Sequence, residues 1–192
     1  RLLMITQAQR LPLPDCVSVS ITGNYDPLSG TLESSPDFPE WKSEPLKSQL
    51  RLCFNLPVFI EQRSAAGLLA EMLFGSSDTG GTQAYLSFSP TLRASFSLNG
   101  QIYNNFGGSA GAIGKIFVSD VPDPRLNRPL TLNDYASLNG LALQALRLQP
   151  SHWDLATMGS QVLQAAAEND PYAIELVEQA AKMLGNHLAP LI

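Results

Sequence analysis

The chain has 192 residues, 44% of them apolar and 15% charged, with a net charge of −5 at pH 7. This describes a globular chain long enough for one substantial domain or two small lobes, and excludes a disordered one. Its 12 basic residues are scattered, which argues against a direct grip on nucleic acid, where a surplus of Lys and Arg is needed.

No apolar run approaches the about 20 residues that span a bilayer. No secretory signal opens the chain, so no membrane partner and a cytoplasmic location are expected. Arg1–Arg10 reads as the end of a helix, stopped by Leu11-Pro-Leu-Pro14, because proline removes a donor and restricts its predecessor. Cys16–Ile21 alternates and predicts a strand with Val17, Val19 and Ile21 inward. Thr22–Gly30 is turn chemistry nearly throughout. Pro45–Phe54 has apolar residues at 46, 50, 53 and 54, the spacing of an amphipathic helix. Cys16 and Cys53 sit in apolar sequence and read as two buried thiols rather than a disulfide. Neither belongs to a Cys-x-x-Cys pair, so they predict no metal site.

Leu56–Ile60 is continuously apolar, which predicts a strand covered on both faces. Ser64–Phe74 predicts a helix stopped by Gly75, and Ser76–Thr82 a loop. Gln83–Phe88 and Arg93–Leu98 predict two further strands. Asn99-Gly100 then populates positive φ cheaply at both central positions of a type I′ turn, and Gln101–Tyr103 resumes the extended pattern. Gly107–Gly114 follows as a Gly/Ala loop. This order suits a structural sheet edge, the plainer reading, and also the floor of a ligand cleft. Ser119–Pro129 reads as a proline-rich loop. The rest is helical: Leu138–Leu148, a helix starting at Ser151–Asp154 and running to about Glu168, and a last helix with Asp170 as N-cap and Pro171 at its first position. Ile174, Val177, Leu184 and Leu188 give that last helix one apolar stripe.

Several of these pieces, in this order, resemble the ROK family of sugar kinases and sugar-responsive repressors. Ala110-Gly-Ala-Ile-Gly-Lys115 is similar to the family's Ala-Gly-Glu-Ile-Gly-His signature, with Ala112 and Lys115 in place of Glu and His. Ser35-Pro-Asp-Phe-Pro-Glu-Trp41 resembles its Ser-Pro-Asn-x-x-x-Trp segment, Asp37 standing for Asn; Trp41 itself reads as a loop aromatic over an edge of the core. Pro57, Val58, Glu61 and Glu71 keep the register of a second signature, where Gln62-Arg63 replaces the Asn-Asp pair that holds the sugar and supplies the general base. In the register of Asn99-Gly100, the phosphate-loop glycines correspond to Ser89, Thr91, Arg93 and Ser95. Leu132–Ser137 resembles the run after the family's zinc loop, with Asn133 in place of a sugar-contacting Glu.

The resemblance implies an α/β fold of the ribonuclease H-like/actin-like ATPase type. It is expected in part only, mainly the larger C-terminal lobe with a helical portion over 131–192, without the first phosphate-loop and the final adenosine-binding segments. It implies ligand contacts, by position, at Asp37, Gln62, Arg63, Arg93, Ala112, Lys115 and Asn133. A kinase is not expected: a guanidinium stays protonated and cannot act as a base, and the loop has lost its glycines. No cofactor and no zinc are expected, since no cysteine follows Cys53 and a tetrahedral site needs about four N or S donors.

His152 and His187 read as surface or cap residues, and no Gly-x-Ser-x-Gly elbow is present. The first expectation is therefore a non-catalytic effector-sensing and oligomerisation domain of a transcriptional regulator, homodimeric or larger. DNA would be held by a separate N-terminal domain. A hexose kinase or its relic, and a ligand-free scaffold associating through the helices after Ser151, are the rivals. Arg63, Arg93 and Lys115 give the expected cleft a cationic character suited to a sugar phosphate or sugar acid; the plainer alternative is that they pair with neighbours such as Glu61.

Overall fold

Two parallel strands set the first half of the molecule. β1 (Val17–Ile21) pairs with β5 (Val58–Gln62), Val17 opposite Val58 and Ile21 opposite Gln62. Parallel neighbours need a long connection. The intervening chain supplies it as an antiparallel meander, β2 (Asn24–Asp26), β3 (Thr31–Ser34) and β4 (Lys42–Glu44), followed by helix α1 (Leu46–Phe54). The computed structural model describes residues 14–75, 81–103, 111–148 and 155–189. The helix end expected before Leu11, the loop over 76–80 and the cap at Ser151–Asp154 lie outside the described residues.

Asp26 shapes the β2–β3 turn. Its carboxylate accepts from the N–H groups of Leu28 and Ser29 at 3.1 and 3.3 Å, and Gly30 takes φ +73° so that its N–H reaches the Asp26 carbonyl at 2.9 Å. Tyr25, Leu32 and Leu46 form a small buried cluster, with Ile21, Trp41, Leu50 and Ile60 packed on it. Trp41 thus covers an edge of this core, as its sequence context predicts.

Two expectations need correction here. Cys16 and Cys53 are exposed, not buried. α1 buries the face that carries Leu46, Leu50 and Phe54 at i, i+4 and i+8, and Cys53 lies off that stripe. Likewise β5 is not covered on both faces among the described residues: Phe59 is 61% exposed. It flanks an open apolar hollow of about 540 Å³ shared with Leu69, Leu73 and Phe74.

α2 (Arg63–Phe74) starts directly from β5 and buries Ser64, Ala65 and Leu68. It lies on the antiparallel sheet of β6 (Gln83–Ser87), β7 (Arg93–Leu98) and β8 (Gln101–Ile102), where the hydroxyls of Ser95 and Ser64 hydrogen-bond at 2.8 Å. Asn99 and Gly100 take φ +51° and +75° between paired Leu98 and Gln101, the type I′ geometry the sequence predicts.

After a 3₁₀ turn at Ile113–Lys115, the expected proline-rich loop is instead a β-hairpin, β9 (Phe117–Asp123) and β10 (Arg128–Thr131). Pro122 faces Pro129 across it, so both missing donors fall on one pair. Asp123 builds the turn by accepting from Arg125 and Leu126 N–H at 2.8 and 3.2 Å, and Asn127 closes it at φ +50°. A capping box of Thr131 and Asp134 then opens α3 (Leu132–Ala136), and Arg128 grips both Asp134 oxygens at 2.8 Å.

Helices α4 (Leu138–Leu148), α5 (Leu155–Ala167) and α6 (Pro171–Leu188) complete the fold. Asp170 caps α6 by accepting from Ala173 N–H at 2.8 Å, as predicted. Ala173, Leu176, Ala180 and Leu188 of α6 meet Met158 and Val162 of α5, with Leu132, Leu141, Ile113 and Leu92, in the main core. The residues at 174, 177 and 184 lie only half-buried beside them, so the stripe is phased about one residue from the expected one.

Because the inward faces of α5 and α6 are core, deleting residues 151–192 is expected to abolish cooperative thermal unfolding, not merely to release monomers. Leu141→Ala, at a fully buried position, is expected to lower stability by about 2–5 kcal/mol in urea titration. Arg128, with Thr131, holds the Asp134 carboxyl down to about 2 from 3.8. The stabilisation this gives is present above about pH 4 and lost as pH falls toward 2. Asp134→Asn is therefore expected to flatten the acid limb of stability over that window and to cost about 1 kcal/mol at pH 7.

Candidate functional site

The cleft forms where three short pieces of chain converge. The start of β2 with the end of β3 makes one wall, the residues entering β7 a second, and the 3₁₀ turn with the start of α3 the third. It holds about 250 Å³, just below the range of about 300–1,000 Å³ usual for drug-sized ligands, a space for one small polar molecule. Arg93, Ala112, Lys115 and Asn133 all line it, so four of the seven residues expected from the sequence are brought together.

Arg93 reaches across the cleft from β7. It donates to the Gln62 side-chain carbonyl at 3.0 Å and to that of Asn24 at 3.4 Å, while Gln62 donates to the Gly23 carbonyl at 3.2 Å. Gln62 is thus reached through Arg93 and does not itself line the cleft. Burial lowers the Arg93 pKa from its ordinary value, though a guanidinium remains charged. Asn24 is a cleft residue that sequence reading missed. It sits in a segment whose letters speak only of turns, and its contact with Arg93 spans 69 positions.

Asp37 and Arg63 fall in a neighbouring hollow of about 390 Å³, beside Phe38 and Trp41, whose rings stack with centroids 4.6 Å apart. Arg63 lies 3.7 Å from Asp37; its partner is therefore Asp37 and not Glu61. Both side chains are partly exposed, so the pair is worth no more than about 1 kcal/mol. The Thr22 hydroxyl, donating to Asp37, and the Asp37 N–H, donating to the Ser35 hydroxyl at 3.2 Å, fix this loop as well.

The segment entering β7 is pinned by one internal bond and by two to its neighbours. The Ser89 hydroxyl donates to the Thr91 carbonyl at 2.6 Å, and Leu92 N–H donates to Asn133 Oδ1 at 2.7 Å. Ala94 N–H donates to the Gly111 carbonyl at 2.8 Å. Two backbone donors here are therefore already engaged. The retained glycines have packing reasons. Gly111 takes φ +69°, and a Cβ on it would lie 1.7 Å from the Ala94 carbonyl oxygen. A Cβ on Gly114 would lie 2.1 Å from Asn133 Oδ1.

His187 accepts its place as a cap residue, its Nδ1 lying 2.9 Å from the Met183 carbonyl near the end of α6. His152 and residues 107–110 lie outside the described residues. Among the described residues no three His, Cys, Asp or Glu side chains are grouped to hold a metal ion. The donor set around Lys115 does not fit a zinc site: an ammonium is no ligand, and the β9–β10 hairpin contains no cysteine or histidine.

Comparison with known proteins agrees with this architecture. The family model described as "ROK family" matches residues 3–192. The xylose repressor of Caldicellulosiruptor bescii is 25% identical over 186 residues, 92% of this chain and 46% of the repressor. The glucokinase of Halalkalibacterium halodurans is 26% identical over 163 residues, 79% of this chain and 49% of the enzyme. The chain thus spans about half the length of these relatives. Among solved structures, a ROK family transcriptional regulator, homolog of the E. coli MLC protein, superimposes with TM-score 0.77 at 24% identity. It covers 98% of this chain and 50% of that one. A glucokinase from Streptomyces griseus gives TM-score 0.76 at 23% identity, over 96% of this chain and 63% of that one. These likenesses establish the fold, the mixed α/β actin-like ATPase type of ROK proteins, represented in part. The chain belongs to the ROK family.

Proposed function

We propose that this chain is the effector-sensing part of a ROK-type transcriptional regulator, taking a sugar or sugar derivative and transferring no phosphoryl group. The observation that carries this reading is the pair of arginines at the expected sugar and phosphate positions. Arg63, where the resemblance places the general base, points to Asp37 at 3.7 Å. Arg93, where it places a phosphate-loop glycine, extends its side chain to Gln62 and Asn24. Phosphoryl transfer depends on a positioned base and a cradle of backbone donors; here the base is a permanent cation, and Leu92 and Ala94 N–H are engaged elsewhere.

The xylose repressors among the relatives support the regulator reading, and the net charge of −5 supports DNA contact through a separate domain. In this reading the protein works in the cytoplasm as a homodimer, because two-fold operators are matched by two-fold proteins. A sugar kinase is the second reading, favoured by the similarity to a glucokinase.

A coupled assay with ATP, magnesium ion and either xylose or glucose separates the two. No sugar-dependent ADP release is expected, and Arg63→Asp alone is expected not to create any, since Arg93 stays in place. Sugar-dependent turnover by the unaltered protein would overturn the proposal.

A further inference from the structure

The charged residues that line the cleft are of one sign. Its lining carries two cations, Arg93 and Lys115, and no carboxylate. The nearby acids are committed elsewhere: Asp37 to Arg63 in the adjoining hollow, and Asp134 to Arg128. Among the described residues Lys115 makes no ion pair and no side-chain hydrogen bond. Arg93 cannot swing away to solvent freely, because two amide oxygens hold its guanidinium. A fixed charge in a half-buried position is screened less than one in water.

Asn133 adds a directed donor. Its Oδ1 is occupied by Leu92 N–H at 2.7 Å, which fixes the amide orientation and leaves Nδ2 without a partner among the described residues. Ser34, at the end of β3, and Thr91, beside Arg93, add hydroxyls to the lining, groups that both donate and accept. The lining thus combines two cations, an amide donor and two hydroxyls.

We propose that the ligand of this cleft is a small anionic polyol, a sugar derivative carrying a carboxylate or phosphate group, with that group taken by Lys115 and Asn133 Nδ2 in the field of Arg93. A flexible lysine meets such a group as a point charge, whereas the guanidinium, already engaged with two amides, contributes its field rather than a bidentate grip. This rests on the sugar-sensing reading above and narrows it to a charged class.

The test is a thermal-shift panel at constant ionic strength with gluconate, glucuronate, glucose 6-phosphate, glucose, xylose and inorganic phosphate, followed by calorimetric titration. At saturation at least one sugar anion is expected to raise Tm by about 3 °C or more, and glucose and xylose to leave it unchanged. Whichever anion responds identifies carboxylate or phosphate as the recognised group. Lys115 is exposed, so Lys115→Met is expected to fold normally and to weaken binding at least tenfold, with Lys115→Arg weakening it less. Equal stabilisation by xylose or glucose would overturn the charged class while leaving the sugar-sensing reading intact. Inorganic phosphate matching the sugar anions, or unchanged affinity in Lys115→Met, would overturn the assignment of this cleft. No response to any sugar would overturn both the charged class and sugar sensing, independently of the turnover assay.

Discussion

At the cleft, one guanidinium ties together the two halves that α2 already packs against. The first half is the parallel pair β1–β5 with its meander, and the second is the β6–β8 sheet with the helical body. Arg93 belongs to the second half, and its hydrogen bonds to Asn24 and Gln62 end on the first. A half-buried cation must keep such partners, because stripping them leaves a charge neither hydrated nor paired. The two amides are therefore oriented by Arg93, and Gln62 in turn holds the Gly23 carbonyl. This chain of contacts ties the β2 wall of the cleft to β7. The arginine that family resemblance sets among the expected ligand contacts is, in three dimensions, a clasp between two walls of the candidate cleft.

How much of this was legible depended on whether the signal was local. Asn99-Gly100, Asp170-Pro171 and the Asp26 turn carry their geometry in adjacent letters, and each folds as those letters require. The β9–β10 hairpin does not announce itself, because Pro122, Pro124 and Pro129 look like loop punctuation until two of them are seen to face one another. Cys53 departs from its expected burial for a related reason. Apolar neighbours in sequence say little about which way a helix turns, and α1 is phased by Leu46, Leu50 and Phe54. Phe59 sits in an apolar run that suits a doubly covered strand, yet it stands open to solvent.

For the candidate site, family resemblance grouped residues that periodicity cannot. Ala112, Lys115, Asn133 and Arg93 come from three separate elements, and only motif order linked them beforehand. What motif order concealed was a change of roles. Asn133 takes a position expected to contact sugar, but its oxygen is occupied by the backbone of Leu92. Gly111 and Gly114 survive for close approach, the one against β7 and the other against Asn133. The signature thus persists partly as architecture, after the two chemically active letters within it have changed.

The brace between β10 and α3 has a consequence for the surroundings this fold tolerates. Where a thiolate cluster would make a loop answer to chelators and oxidants, this hairpin is secured by a two-pronged pair of opposite charges and by turn carboxylates. Its own residues include no cysteine or histidine. It responds instead to ionic strength, since dissolved ions compete most effectively with a contact whose cationic member stands half in water.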